Sequence, residues 1–232
     1  MTEPKPIEVR QLDLFRGMDD AQFALLMRGA YVQNFPPSID LIGEGEPSDF
    51  LHIVLSGSVE LFSGWNDRET SMAIVRPVST FILAATIRDA PYLMSARTIA
   101  KSRIALIPSQ DVRAAFSIDG DFAFAVVDEL AQQYRSLIKS TKELKLRNSL
   151  ERVANFLIRE QQKSGAGAAF QLPCDKKRLA SLLGMTAENL SRAFKSLQKC
   201  GIEIDGTLIT IHDQDELERF AKPHHLIDDD DI

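Results

Sequence analysis

The stretch DKKRLASLLGMTAENLSRAFKSLQKCGIEIDGTLITI, residues 175–211, decides the fold. Leu179, Leu182 and Leu183 recur at i, i+3 and i+4, so the spacing predicts a helix over 175–183 with one apolar face. Gly184 supplies the left-handed turn that ends it. Thr186 has the side chain of an N-cap for a second helix. In that helix Leu190, Ala193, Phe194 and Leu197 form the inward stripe, and Gly201 closes it. Ile202 and Ile204, an Asp205-Gly206 turn and Leu208 to Ile211 predict a two-stranded ribbon, because Asp-Gly suits a two-residue type I′ turn. Helix, turn, helix and ribbon make a winged helix-turn-helix, a module that lays its second helix in the major groove of DNA.

The outward residues carry the candidate chemistry. Thr186, Glu188, Asn189, Ser191, Arg192 and Lys195, with Lys176 and Lys177 at the start of the first helix, are the candidate DNA-binding residues. Arg192 can donate twice to O6 and N7 of guanine, Glu188 can accept from the N4 amino group of cytosine, and Ser191 can bond to a base edge or a phosphate. Glu188 and Arg192 are four apart, so they share one helix face and can also pair with each other.

Charge distribution agrees with that reading. The net charge is −6, yet residues 139–200 hold 13 Lys+Arg against 5 Asp+Glu, while the remainder holds 14 against 28. A basic segment in an acidic chain is the electrostatic footprint of a DNA-binding domain joined to something else. The acid run Asp228 to Asp231 reads as a solvated, disordered tail. His224 and His225 before it read as exposed residues and not as metal ligands, and no metal is expected.

The first ~110 residues have another rhythm. Short apolar runs, Ile39 to Ile42, Phe50 to Leu55, Ser58 to Phe62, Met72 to Val75, Ser95 to Ile99 and Arg103 to Ile107, alternate with Pro, Gly and Ser. That pattern predicts an antiparallel sandwich or barrel. A short helix, Asp19 to Gly29, leads into it.

A long helix over Phe122 to Leu146 joins the two parts. Val127, Leu130, Tyr134, Leu137, Thr141 and Leu144 are spaced 3, 4, 3, 4 and 3, an a/d seam that predicts a parallel homodimer. A second apolar set, including Val126 and Ile138, is placed to cover the barrel. A dimer suits a helix-turn-helix protein that reads a two-fold symmetric site. The pattern restarts at Arg147-Asn148, which marks a hinge, and Leu150, Val153, Ala154 and Leu157 begin a new helix. The expected fold class is α+β: a sensor β-barrel over 1–117, a dimerisation helix over 118–146, and a winged helix-turn-helix over 147–232 with its acidic tail.

Several functions are excluded. No run of ~18 apolar residues exists, so no membrane span is expected. The opening MTEPKPIEVRQ lacks a basic segment followed by an apolar core, so no secretory signal is expected and the cytoplasm is the default compartment. No nucleophile–base set, metal spacing or phosphate loop appears, so no enzyme is expected.

The order of parts resembles the CRP/FNR family of bacterial transcription regulators over nearly the whole chain. The stretch GEPSDFLHIVLSGSVELF, Gly45 to Phe62, carries Gly45-Glu46 and Gly57 where that family has turn glycines. Glu188-x-x-Ser191-Arg192 resembles the E-x-x-S-R pattern of the FNR branch, with the Dnr/NnrR-like proteins nearest in pattern. The resemblance implies double-stranded DNA with TTGAT-type half-sites in an inverted repeat, a second copy of the chain, and RNA polymerase as partners.

The resemblance fails at the effector. Cyclic-nucleotide-binding members of the family use a Gly-Glu pair and, after it, an arginine followed by a small residue. Here VSTFILAATI, Val78 to Ile87, has no glycine or acid, and Tyr92 stands at the arginine's place. Arg88 and Arg97 fall elsewhere. An unpaired phosphate there would cost several kcal/mol, which weighs against cAMP. No cysteine precedes Cys174, so there is no iron–sulfur cluster of the FNR type. Haem stays open for a nitric oxide or redox sensor. Phe81, Leu83, Tyr92 and Met94 are the candidate effector pocket, and His52 reads as a structural histidine more than a haem ligand. A regulator with no effector, or one controlled by a protein partner and keeping a vestigial pocket, is the other alternative.

Overall fold

A strand that must bury both faces reads as an unbroken apolar run, and two such runs, FLHIVLS and SRIALIP, organise the N-terminal half of the computed structural model. The structure describes residues 6–66, 68–165 and 167–229. The chain forms two compact units, Met1–Gln133 and Tyr134–Ile232.

In the first unit, short helices α1 (Pro6–Arg10), α2 (Asp13–Arg16) and α3 (Asp20–Arg28) precede eight strands. Asp19 caps α3 by accepting from the amides of Ala21 and Gln22. The strands are β1 (Tyr31–Phe35), β2 (Asp40–Ile42), β3 (Phe50–Ser56), β4 (Val59–Trp65), β5 (Arg68–Val75), β6 (Ser79–Phe81), β7 (Ser95–Thr98) and β8 (Ser102–Pro108). Helix α4 (Leu83–Arg88) lies between β6 and β7, and α5 (Ser109–Ile118) follows β8. They form two four-stranded antiparallel sheets, ordered β1-β8-β3-β6 and β2-β7-β4-β5. The sheets stay open in a jelly-roll arrangement and do not close into a barrel. β1, β6 and α4 are additions to the sequence reading. β1 and β6 are short, and α4 falls inside the apolar run 78–87, where periodicity cannot separate strand from helix.

Alternation along β3 and β8 produces two cores. Val54, Ile104 and Leu106 join Ile42, Val59 and Leu61 between the sheets. Leu51, Ile53, Ala105 and Ile107 point the other way, onto Phe15, Leu26, Val112 and Phe122 of the helices. The central strands β3 and β8 are thus covered on both faces, which is why they read as nearly continuous apolar runs, whereas β1 at the edge exposes Gln33 and Asn34.

Helix α6 (Gly120–Leu146) is continuous, as its spacing predicts. Asn148 starts α7 (Ser149–Ser164) with a full capping box: its side chain accepts from the Leu150 and Glu151 amides, and Glu151 Oε2 accepts from the Asn148 amide at 3.0 Å. The second unit continues with β9 (Ala169–Gln171), α8 (Lys176–Leu182), α9 (Ala187–Leu197), a 3-10 turn (Gln198–Cys200), β10 (Ile202–Asp205), β11 (Leu208–Ile211), α10 (Gln214–Ala221) and α11 (His225–Asp228). Among the described residues no helix is long and apolar enough to cross a membrane.

Candidate nucleic-acid interface

Local chemistry sets the angle between α8 and α9. Asp175 caps α8 by accepting from the Arg178 amide at 2.9 Å. At the other end the Met185 amide donates to Ala180 O and the Gly184 amide to Ser181 O, both at 2.9 Å, the hydrogen-bond pair of a Schellman turn. Gly184 sits at φ +62°, a left-handed conformation that favours glycine, and the nearest atom to a Cβ there would be the movable end of the Leu144 side chain. Thr186 Oγ1 then accepts from the Asn189 amide at 3.2 Å and starts α9.

Helix α9 divides as its spacing predicts. Leu190, Ala193, Phe194 and Leu197 are buried. Ala187, Glu188, Asn189, Ser191, Arg192 and Lys195 are exposed, as are Lys176 and Lys177 on α8. Glu188 and Arg192 form an ion pair on the surface, with side chains 73 % and 68 % exposed. Such a pair is worth ~0–1 kcal/mol, so a base edge that takes either partner meets little resistance. The Lys176 ammonium lies 5.7 Å over the Phe194 ring, which holds it beside α9.

The wing differs from expectation in two details. Asp205 pairs with Leu208, so the turn residues are Gly206 and Thr207, not Asp205 and Gly206. Only Gly206 has positive φ (+59°), which fits a turn needing glycine at its first central position and excludes type I′. A third strand, β9, pairs with β11 and extends the ribbon to a three-stranded sheet.

The seam positions of α6 are mostly open. Val127, Tyr134 and Leu137 are 57 %, 65 % and 60 % exposed, and Leu144 and Thr141 also face solvent. Leu130 is half-buried against the helical core of the first unit. Val126 is fully buried there, whereas Ile138 is exposed, so Ile138 is not a covering residue.

The tail reading needs correction at Asp228. Its carboxylate is largely buried and accepts from Arg147 Nη1 and Nη2 at 2.8 and 2.5 Å and from Arg159 Nη1 at 2.6 Å. Arg159 Nη2 also reaches both Glu143 oxygens at 3.0 Å. Burial alone would raise the Asp228 carboxyl, but these guanidiniums and the His224 amide hold it below the ordinary range. A charge run reads as solvated until tertiary structure supplies counter-ions. Asp229 is half-buried, and Asp230 and Asp231 lie outside the described residues. His224 and His225 are exposed and stacked, 4.8 Å between centroids. Among the described residues no cluster of three metal-ligating side chains occurs.

Sequence reasoning also missed Arg152. Its guanidinium is buried and donates to Arg147 O at 2.8 Å, Leu183 O at 2.9 Å and Gly184 O at 3.3 Å. One side chain therefore ties the α6–α7 junction to the turn before α9. Arginine normally faces water, so its residue type gives no sign of this burial.

The candidate effector residues do not form one group. Phe81, Tyr92 and Met94 belong to the core between the sheets, while Leu83 packs into the helical core. His52 is 4 % exposed, stacks on Phe81 at 5.1 Å and meets Tyr92 edge-on at 6.5 Å. Burial lowers its pKa to about 4, so it is neutral near pH 7. Tyr92 donates to Phe50 O at 3.1 Å. Arg97 donates to Asp40 at 2.6 Å, lies 3.5 Å from Glu69, and stacks on Phe62 at 4.3 Å.

Comparison with known proteins agrees with this architecture. A cyclic nucleotide-binding domain matches residues 32–119 and a Crp-like helix-turn-helix domain matches residues 151–220. The chain is 26 % identical to a CRP-like cAMP-activated global transcriptional regulator of Mycobacterium tuberculosis, over 90 % of this chain and 96 % of that one. It shares the fold of FixK2 from Bradyrhizobium japonicum, with TM-score 0.74, 22 % identity, and coverage of 82 % of this chain and 96 % of that one. It also shares the fold of the c-di-GMP responsive regulator CLP from Xanthomonas campestris, with TM-score 0.69, 18 % identity, and coverage of 83 % and 99 %. With a sheet-sandwich domain, a long helix and a capped, outward-polar helix-turn-helix in this order, the chain belongs to the CRP/FNR family of DNA-binding transcription regulators.

Proposed function

We propose that the chain acts as a homodimer that reads an inverted repeat with TTGAT-like half-sites, as in the FNR branch, and contacts RNA polymerase in the cytoplasm. Its sensor spans 1–117, its dimerisation helix 118–146 and its reading head 147–232. The observation that carries this reading is the exposed Glu188–Ser191–Arg192 set on the first two turns of α9, held by the Thr186 cap over a fully buried stripe. Two copies paired along α6 would present two such helices to successive major grooves, ~34 Å apart. The controlling signal enters at the sandwich and biases the α6–α7 junction between two settings.

The signal is not a cyclic nucleotide in this reading. A cyclic phosphate needs an unpaired cation or a cradle of free amides. Arg97 already has Asp40 and Glu69, and Tyr92 is 3 % exposed at the arginine's expected place. Haem would have to displace the packed Phe81 and Tyr92 rings around His52. That packing favours the second reading, control without a small molecule and with the pocket filled by the protein's own side chains. Absorption and mass spectra of whatever co-purifies with the chain separate the cases: a Soret band supports haem, and a colourless, ligand-free chain that binds DNA supports effector-free control.

The DNA reading is tested with Arg192→Ala. A titration against the inverted repeat and a scrambled duplex should show discrimination reduced by ~1–3 kcal/mol per half-site. Unchanged discrimination would remove α9 as the reading helix.

A further inference from the structure

We propose that α11 is a clasp on the α6–α7 junction, with Asp228 as the positioning residue that holds the junction in one setting. The inference rests on reading this unit as the DNA-binding head and names how that head is held. It starts from a quartet of opposite charges. Glu143 comes from the last turn of α6, Arg147 from the junction, Arg159 from the middle of α7, and Asp228 from the end of α11. Their side chains are 14 %, 7 %, 15 % and 10 % exposed. Two guanidiniums and two carboxylates make the group neutral, and the fork of Arg147 engages both Asp228 oxygens.

Removing one member of a buried set leaves the others uncompensated, which costs more than the set gains by forming. Without Asp228, Arg147 and Arg159 would share one carboxylate, Glu143, and the junction would have to open toward water. The backbone carries the effect onward. Arg147 O accepts from Arg152 Nη1, and the same guanidinium donates to Leu183 O and Gly184 O in the turn that sets the direction of α9. Leu144 of α6 touches that turn as well. On the outer side, Lys139 Nζ of α6 donates at 2.5 Å to the carbonyl of Asp229, the residue that follows α11. The Crp-like helix-turn-helix match ends at residue 220, and α11 lies beyond it. The clasp therefore lies outside the matched stretch, at the junction between α6 and the helix-turn-helix.

The test is amide hydrogen exchange on the full-length chain without DNA, comparing wild type with Asp228→Asn. The amides of Arg147 and Arg152 and of Gly184 and Met185 are hydrogen-bonded in the structure and report on junction and turn. Their exchange should rise at least about tenfold in Asp228→Asn, with the interior of α9 unchanged, a change that corresponds to the loss of one buried ion pair's hold. Arg159→Gln also leaves a carboxylate uncompensated but keeps the two-pronged Arg147–Asp228 pair, so junction exchange should rise less than in Asp228→Asn, and an equal or larger rise would overturn Asp228 as the positioning residue. Exchange rising only within 225–229 would show that α11 merely docks, and would overturn the proposal, as would no change. If Asp228→Asn exchanges fast throughout α7 and α9, Asp228→Glu carries the test: it keeps the charge, so junction exchange slower than in Asp228→Asn supports the clasp, while exchange as fast as in Asp228→Asn refutes it. Binding to the inverted repeat is read separately, so a wild-type chain that ignores sequence would sink the DNA reading while leaving the exchange result intact.

Discussion

Acid should weaken the first unit through a single buried histidine. His52 has a folded pKa of about 4 against ~6.5 in the unfolded chain. The unfolded state therefore binds the proton first, and stability falls as pH drops below 6.5 and levels off below 4. The shift corresponds to about 3 kcal/mol in full, of which about 2 kcal/mol is lost between pH 7 and about pH 4.5. The cause is geometric: the ring stacks on Phe81 and is closed off by Tyr92, so the imidazolium has no water. The assay is native-state hydrogen exchange of β3 and β8 amides at both pH values, in wild type and in His52→Leu. Asp119, held below the ordinary carboxylate range by the Phe122 amide, also loses stability in acid. It does so in both chains and cancels in the difference. The wild type should lose about 2 kcal/mol more than the variant over that range. Equal losses would refute the packed, neutral histidine, and with it the argument that the sandwich interior is already filled.

Three further outcomes follow from the second unit and α6. Leu137→Glu alters a side chain that is 60 % exposed, so fold stability should stay within ~0.5 kcal/mol while light scattering shows monomers; a persistent dimer would discredit the seam. Gly184→Ala forces a Cβ into the left-handed region and against Leu144, at a cost of ~1–2 kcal/mol read by thermal unfolding, and an unchanged transition would argue against the Schellman turn. Thr186→Ala removes the α9 cap and should cost ~1 kcal/mol; the same melting experiment measures it.

How much was legible in the sequence varied with the range of the forces involved. The α8–turn–α9 segment came out with its cap, its glycine and its buried stripe in place, because caps, left-handed turns and 3.6-residue periodicity are local. The length of α6 and the restart at Asn148 were legible for the same reason. The wing turn slipped by one residue, since Asp-Gly and Gly-Thr turns share a glycine and only the pairing of Asp205 with Leu208 separates them. β1 (YVQNF) exposes Gln33 and Asn34, and β6 (STF) and β9 (AFQ) hold few apolar residues, so none of the three shows as an apolar run. The candidate pocket residues were grouped by nearness in sequence, and alternation of facing then sent Leu83 to one core and Phe81 to the other.

By itself the sequence determined the order of the parts, the second helix of the helix-turn-helix and its exposed polar set, because each is written within a few residues of itself. Only the tertiary structure decided which charges are partners. Asp228 looked like the start of a solvated acid run until Arg147 and Arg159 were folded against it, and nothing in the sequence showed that Arg97 pairs with Asp40 and Glu69. Coulomb attraction depends on distance in space and on exclusion of water, and neither quantity exists along the chain alone.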